Sequence, residues 1–324
     1  MKLLDAPIYQ TSLTKAISKA NSRIVLASMI FLREPAIDAI FLVLEQALRR
    51  GVAVTIVIDA YNKFLFTEDT NLLKLGALRQ RAKETYAYLR QLQELGGTVI
   101  HVSKINHKLF KDRFHTKFSV IDNTVYFAGG VNMSAVSFVN IDYMIETKNS
   151  PALGDALIAN LMRIVTDGKA DNESYRIDKQ NTLFMDGGRQ HQSLIYNRAI
   201  ELAEKAVRII YVSQYCPSGA LAKALKDKDT TYYYNRTRQL ATPFWIDQAL
   251  SHQKYKIKNN YLKKDYLHAK CILYEFANGQ KVLLSGSHNF NYRGVQFGTQ
   301  EIALESTDTK LWKQIYTFVQ TKVV

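Results

Sequence analysis

The chain has 324 residues, 47% of them hydrophobic, with 15 Gly and 5 Pro. That is enough apolar material for one large or two ordinary domains, and it excludes a disordered or low-complexity chain. The net charge of +14 points to a polyanionic partner, either nucleic acid or an anionic lipid surface. In chain order, apolar spacing predicts a helix over 8–20, a buried strand over 23–31, a helix over 36–50 that stops at Gly51, and a second buried strand over 52–59. This alternation argues for a parallel α/β sheet. Residues 60–76 read as an irregular aromatic loop. A helix over 78–95 ends at Gly96-Gly97, and a strand over 98–103 leads into a basic loop. A hairpin follows, with strands over 118–121 and 124–128 turning at Asp122-Asn123, then a strand over 142–147 and a helix over 152–166.

Residues 167–188 are polar and broken by glycine, the best place for a join. After it the order restarts: helix 191–206, strand 207–213, helix 218–227, strand 230–234. A period this long means domain duplication rather than a solenoid, with halves at 1–170 and 171–324. Cys216 and Cys271 give neither a disulfide framework nor a zinc spacing, which suits a reducing compartment. The first residues carry no signal-peptide pattern, and the longest uncharged apolar run, about Ile24 to Leu32, is far shorter than the ~20 residues of a spanning helix.

The chemistry lies in a repeated motif. His115-Thr116-Lys117 with Asp122 reads H-x-K-x4-D, and His268-Ala269-Lys270 with Glu275 repeats it. In a strand, residues i and i+2 share a face, so each His and its Lys are expected to point the same way. Each motif is followed by a small-residue turn and an Asn: Gly130, Asn132 and Ser134 in the first half, Ser287 and Asn289 in the second. An acid on a strand comes next, Asp142 or Glu301. Lys and Asn can supply charge and hydrogen bonds to phosphate oxygens, and glycine lets the backbone approach. Two halves together give two imidazoles around one phosphate, one to attack phosphorus and one to protonate the leaving oxygen. Asp142 and Glu301 are placed to orient the second ring nitrogen of each imidazole. A metal is not expected, because each His has an acceptor-free cation beside it. Asp122 and Glu275 stand at strand ends, where a salt-bridge or turn role competes with a catalytic one.

This pattern resembles the phospholipase D superfamily, whose members carry two H-x-K-x4-D motifs on a duplicated α/β fold. The resemblance implies an α/β/α sandwich with two mixed sheets related by a pseudo-two-fold axis and one active site between the halves. It implies a covalent phosphohistidine formed without metal or cofactor, with His115 as nucleophile and His268 as acid/base. It assigns phosphate binding to Lys117, Lys270, Asn132 and Asn289, and histidine orientation to Asp142 and Glu301. Two positions depart from the usual pattern: Glu275 replaces Asp, and Asp142 replaces the more common Glu.

Gly51-Val52-Ala53-Val54, Gly130-Val131-Asn132, Ser213-Gln214-Tyr215-Cys216-Pro217 and Asn289-Phe290-Asn291-Tyr292-Arg293 are similar to the bacterial cardiolipin synthase and phosphatidylserine synthase branch. The implied reaction is phosphatidyl transfer or phospholipase D cleavage, with nucleic acid as the alternative substrate. The loops 104–114 and 254–264 are basic and aromatic, suited to an anionic membrane surface or to a nucleic-acid strand. A monomer at the inner membrane surface, peripheral and cytoplasmic, is the corresponding expectation.

Overall fold

The computed structural model describes residues 1–63, 75–103, 111–236, 239 and 242–324. The expected loop 60–76 and the basic loop before the first motif therefore lie largely outside the described residues. The first half contributes strands β1 (Lys2–Asp5), β2 (Arg23–Ser28), β3 (Ala53–Asp59), β4 (Thr98–Val102), β5 (Phe118–Ile121), β6 (Thr124–Phe127) and β7 (Tyr143–Thr147). They form one seven-stranded sheet in the order β1-β7-β6-β5-β2-β3-β4. The second sheet uses β8 (Glu173–Arg176), β9 (Asn181–Gly187), β10 (Arg208–Val212), β11 (Asp229–Tyr233), β12 (Cys271–Glu275), β13 (Lys281–Gly286) and β14 (Gln300–Ser306), in the order β11-β10-β12-β13-β14-β9-β8.

The two orders superimpose. Matching β1 with β9, β7 with β14, β6 with β13, β5 with β12, β2 with β10 and β3 with β11 preserves every pairing direction, antiparallel except for β2–β3 and β10–β11. The extra strands, β4 and β8, sit on opposite edges. Both sheets are thus mixed, where the helix–strand alternation alone suggested parallel pairing. The expected join is not irregular either: 173–176 and 181–187 form β8 and β9.

Helices α1 (Ala6–Ser18), α2 (Asp38–Arg49), α3 (Leu75–Glu94) and α4 (Ala135–Val139) belong to the first sheet's outer side, and α6 (Leu194–Lys205), α7 (Gly219–Lys226), α8 (Thr242–Tyr255) and α9 (Tyr292–Phe297) to the second's. Two long helices, α5 (Pro151–Asp167) and α10 (Thr309–Phe318), enter the core shared by both sheets. Their apolar stripes, Leu153, Leu157, Leu161 and Ile164 in α5 and Leu311, Trp312, Ile315 and Phe318 in α10, recur at helical spacing and are buried. Burying one such side chain contributes about 1.5–3 kcal/mol, so this shared layer ties the halves together. The ends interlock as well, since Leu3 N in β1 donates to Gln314 Oε1 in α10 at 3.0 Å. No helix among the described residues is long and apolar enough to cross a membrane.

Candidate active site

The two motifs meet through backbone pairing that crosses between the halves. His115 N donates to Gln300 O at 3.0 Å, and Gln300 N donates to Arg113 O at 2.9 Å. The mirror pairing has His268 N donating to Ile141 O and Ile141 N donating to Tyr266 O, both at 3.0 Å. The residue after Gln300 is Glu301, and the residue after Ile141 is Asp142. Each histidine is therefore held beside the acid of the opposite half. His115 Nδ1 lies 2.9 Å from both Glu301 oxygens, and His268 Nδ1 lies 2.7 Å from Asp142 Oδ2. The two acids contact the histidines crosswise, each from the opposite half.

The H-x-K segments precede the strands rather than lying on them: β5 starts at Phe118 and β12 at Cys271. Each lysine instead folds back onto its own motif. Lys117 Nζ donates to His115 O at 2.6 Å, and Lys270 Nζ donates to His268 O. Both lysines are almost fully buried, at 0% and 1% exposure. Burial pushes Lys117 down to about 7 and Lys270 down to about 8. An ammonium with so little hydration gains strongly from an entering anion.

Burial, then the charges of Lys117 and Lys270, lowers His115 well below the usual imidazole range. Burial and Lys270 push His268 down to about 4, against the pull of Asp142. A neutral imidazole that donates Nδ1–H to a carboxylate keeps its Nε2 lone pair, which is what attack on phosphorus requires. For Asp142, burial works upward, but the hydrogen bond and charge of His268, Lys270 and the Tyr143 N–H together hold it below the ordinary carboxylate value. Glu301 is raised by burial.

The loops explain the remaining site residues. Gly130 N donates to Asp142 Oδ1 at 3.2 Å, and a Cβ there would lie 2.5 Å from Asp142 Oδ2 and 2.9 Å from Lys270 Nζ. Ser287 occupies the matching place, and its hydroxyl donates to Glu301 Oε2. Ser287 therefore positions an acid, where a substrate contact was expected. Asn132 Oδ1 accepts from Ser28 Oγ at 3.2 Å and from Ile30 N at 3.4 Å. Asn289 Oδ1 is buried without a hydrogen-bond partner among the described residues.

Three expected site residues are elsewhere. Ser134 caps α4, its hydroxyl accepting from Ser137 N. Asp122 stands at the far end of β5 and accepts from the backbone N–H groups of Asn21, Ser22 and Arg23 and from Ser22 Oγ. Glu275 stands at the far end of β12 and pairs with Lys281 at 3.2 Å. Neither acid contacts an imidazole, because a β-strand carries the chain away from the site at about 3.3 Å per residue.

Sequence reasoning missed two anchors. Asp59, fully buried at the end of β3, accepts from Phe114 N at 2.5 Å and from Arg113 Nη1 at 3.0 Å. Asn235, just past β11, accepts from Leu267 N at 2.9 Å and donates to Leu267 O at 2.7 Å. Each pins the residue before a motif histidine, His115 or His268. The available signal was a charged residue closing the apolar run Val54 to Ile58. A groove of about 640 Å³ between β1, α1 and α10 holds none of these groups.

The family model described as cardiolipin synthase, PLD-like domain, matches residues 13–165. Over those residues the chain is similar to a phospholipase D-like domain. The second half repeats its strand order and its histidine motif, so the duplicated phospholipase D-like fold read from the sequence is present. The fold is similar to the crystal structure of phosphatidylserine synthase from Haemophilus influenzae Rd KW20, with TM-score 0.70 and 12% identity, over 100% of this chain and 87% of that one. It is also similar to polyphosphate kinase from Porphyromonas gingivalis, with TM-score 0.60 and 14% identity, over 98% of this chain but 49% of that one. No curated protein matches the chain in sequence.

Proposed function

We propose that this phospholipase D-like protein cleaves or transfers phosphodiesters through a covalent phosphohistidine, and that it transfers phosphatidyl groups on glycerophospholipids. The observation that carries the reading is the crossed pair of imidazole–carboxylate contacts, His115–Glu301 and His268–Asp142, with Lys117 and Lys270 beside them. The lipid substrate is supported by the cardiolipin synthase description of the matched domain and by the fold shared with a phosphatidylserine synthase.

His115 Nε2 attacks phosphorus, forming the N–P bond as the bond to the leaving oxygen breaks. His268 gives its proton to that oxygen. It takes a proton back from the entering alcohol or water, whose oxygen then displaces His115. The entering phosphodiester anion favours the imidazolium form of His268 that this step needs. Lys117 and Lys270 hold the non-bridging oxygens. One chain supplies both imidazoles, so the reading includes action as a monomer, without metal or cofactor.

The test offers phosphatidylglycerol or CDP-diacylglycerol with an alcohol acceptor in one reaction and single-stranded DNA in another. Consumption of lipid with formation of a new phosphatidyl ester is the expected result; consumption of DNA alone overturns the lipid reading. His115→Ala is expected to abolish both turnover and the acid-labile protein adduct. His268→Ala should still form adduct from a substrate with a good leaving group such as p-nitrophenolate. Full turnover by either variant contradicts the two-imidazole scheme.

A further inference from the structure

We infer that the rim of the site beside His268 is a docking face for an anionic lipid bilayer, built from Val136 and Val139 of α4 and from Leu262 with the lysines of its own segment. This rests on the lipid reading of the site, but it concerns adsorption rather than chemistry. The segment from Lys254 to Lys264 carries Lys254, Lys256, Lys258, Lys263 and Lys264 and no acid. It is not a loose solvated loop. Ile257 and Tyr261 are buried, Tyr261 Oη donates to Asp265 O at 2.5 Å, and Arg236 Nη2 donates to Leu262 O at 2.9 Å. Gln239 Nε2 adds bonds to Lys264 O and Asp265 O.

This strapping holds Leu262 outward, 74% exposed, and Lys256, Lys258 and Lys264 of the same segment are exposed as well. Across the halves, the Ile141–Leu267 bridge brings the end of α4 to the same rim. There Val139 is 77% and Val136 is 54% exposed. They are three residues apart on one helical turn, so they share a face. Isolated exposed apolar residues need no explanation. Here they recur on the two segments that one bridge joins next to His268, and the segment carrying Leu262 is lysine-rich. Apolar side chains that enter the headgroup boundary together with lysines that meet anionic lipid are the elements of a surface-bound protein. A nucleic-acid strand would use the lysines but gains nothing from an exposed leucine and two valines.

The experiment is sedimentation with vesicles, which needs no turnover. The full chain is expected to co-sediment with mixed phosphatidylglycerol–phosphatidylcholine vesicles and not with phosphatidylcholine alone. Leu262→Glu with Val139→Glu should weaken the partitioning by more than tenfold. Lys256→Gln, Lys258→Gln and Lys264→Gln together should lower it about a hundredfold, at roughly a fivefold loss per lysine. All five side chains are exposed, so folding should be retained. Absence of vesicle binding in the native chain, or unchanged binding of the Leu262/Val139 variant, overturns the inference. So does displacement from vesicles by an oligonucleotide that both forms bind equally, which assigns the lysines to nucleic acid. Phosphodiester turnover on a soluble p-nitrophenyl substrate, run in parallel, reports on the proposed chemistry separately.

Discussion

The two half-sites share a plan but fix their acids differently. On the His268 side the acid is the short Asp142, held by two backbone donors, Gly130 N at 3.2 Å and Tyr143 N at 2.8 Å. On the His115 side it is the longer Glu301, held by a side chain, the Ser287 hydroxyl. The shorter acid goes with the residue that has no side chain, the longer acid with one that does. Asp142 looks deficient against a Glu, yet it reaches its imidazole at 2.7 Å because glycine lets the loop approach closely. A one-methylene change in an acid that faces an imidazole is meaningful only together with the loop facing it. It also separates the electrostatics. Asp142 is held below the ordinary carboxylate value by charged and hydrogen-bonding neighbours, whereas burial raises Glu301.

The strongest way to break the comparison is to neutralise each acid. Glu301→Gln and Asp142→Asn present an amide donor to an imidazole that has been donating. That forces the other tautomer and moves the proton onto Nε2. Losses in turnover on the order of 10³–10⁴-fold are expected for both, since a wrong tautomer disables a general base or nucleophile. The loop residues should then diverge. Gly130→Ala drives a methyl group into Asp142 and Lys270, so a loss of about 10²-fold and a lowered melting temperature are expected. Ser287→Ala removes one hydrogen bond and should cost only about tenfold. Steady-state kinetics on a p-nitrophenyl phosphodiester measures all four. Equal effects at Gly130 and Ser287 would erase the distinction between the half-sites.

The same contrast explains what the sequence made legible. The H-x-K repeats, the Asn positions and the two acids stood out because catalytic residue types recur at matched spacing. The crossing of the acids did not, because it depends on the bridges Phe114–Gln300 and Ile141–Leu267, which join distant segments and leave no local pattern. Strands β1 and β9 were missed for a related reason. Lys2–Asp5 is short, and Asn181–Gly187 ends in Asp-Gly, a turn signal. Each is a strand only because it pairs with the strand that follows an acid or carries it, β7 or β14. Asn235 was silent, and Asp59 left only a charge closing an apolar run, because both bind backbone, and a residue that pins a neighbour's N–H needs no motif. Helices α1, α2, α3, α5, α6 and α7 and strands β2, β3, β5, β6 and β10, whose burial follows a simple period, were read to within a few residues of their observed limits, whereas α4, α8, α9 and α10 were not read.

A smaller effect tests the lysines against the acids that surround them. Lys117 at about 7 and Lys270 at about 8 lose their protons within the folded chain, whereas an unfolded lysine keeps its proton to about 10.4. Between about pH 7 and pH 9 the unfolded state therefore binds more protons than the folded one, and stability rises with pH. Anion binding runs the other way, because the ammonium groups that attract phosphate are being discharged. Raising the pH across this window should weaken a dialkyl phosphate, whose own charge is constant there, while the melting temperature increases. Calorimetric titration and thermal melts on the same samples read both quantities. Lys117→Met should flatten both trends. Affinity and melting temperature that fall together would mean that the lysines are not discharged by burial.

The smallest expected effects concern the last acid of each motif. Asp122 occupies a turn position with φ of 50° and accepts three backbone N–H bonds that join β2 to the β5–β6 hairpin. Asp122→Ala strands those donors and puts a Cβ-bearing residue without turn preference in the left-handed region, a loss of about 1–3 kcal/mol. Asp122→Asn keeps the turn geometry and should lose less. Hydrogen bonds from Ser22, Arg23 and Asn21 hold Asp122 below the ordinary aspartate value despite the upward push of burial. Its stabilisation is therefore present above the unfolded pKa and disappears as pH falls through the folded one. Glu275, half-exposed and paired with Lys281, should change stability by less than about 1 kcal/mol when replaced by Gln. All three variants should keep near-native turnover, with Asp122→Ala alone showing a clear drop in urea midpoint. A variant with native stability but lost turnover would return that acid to the chemistry and end its reading as a turn anchor.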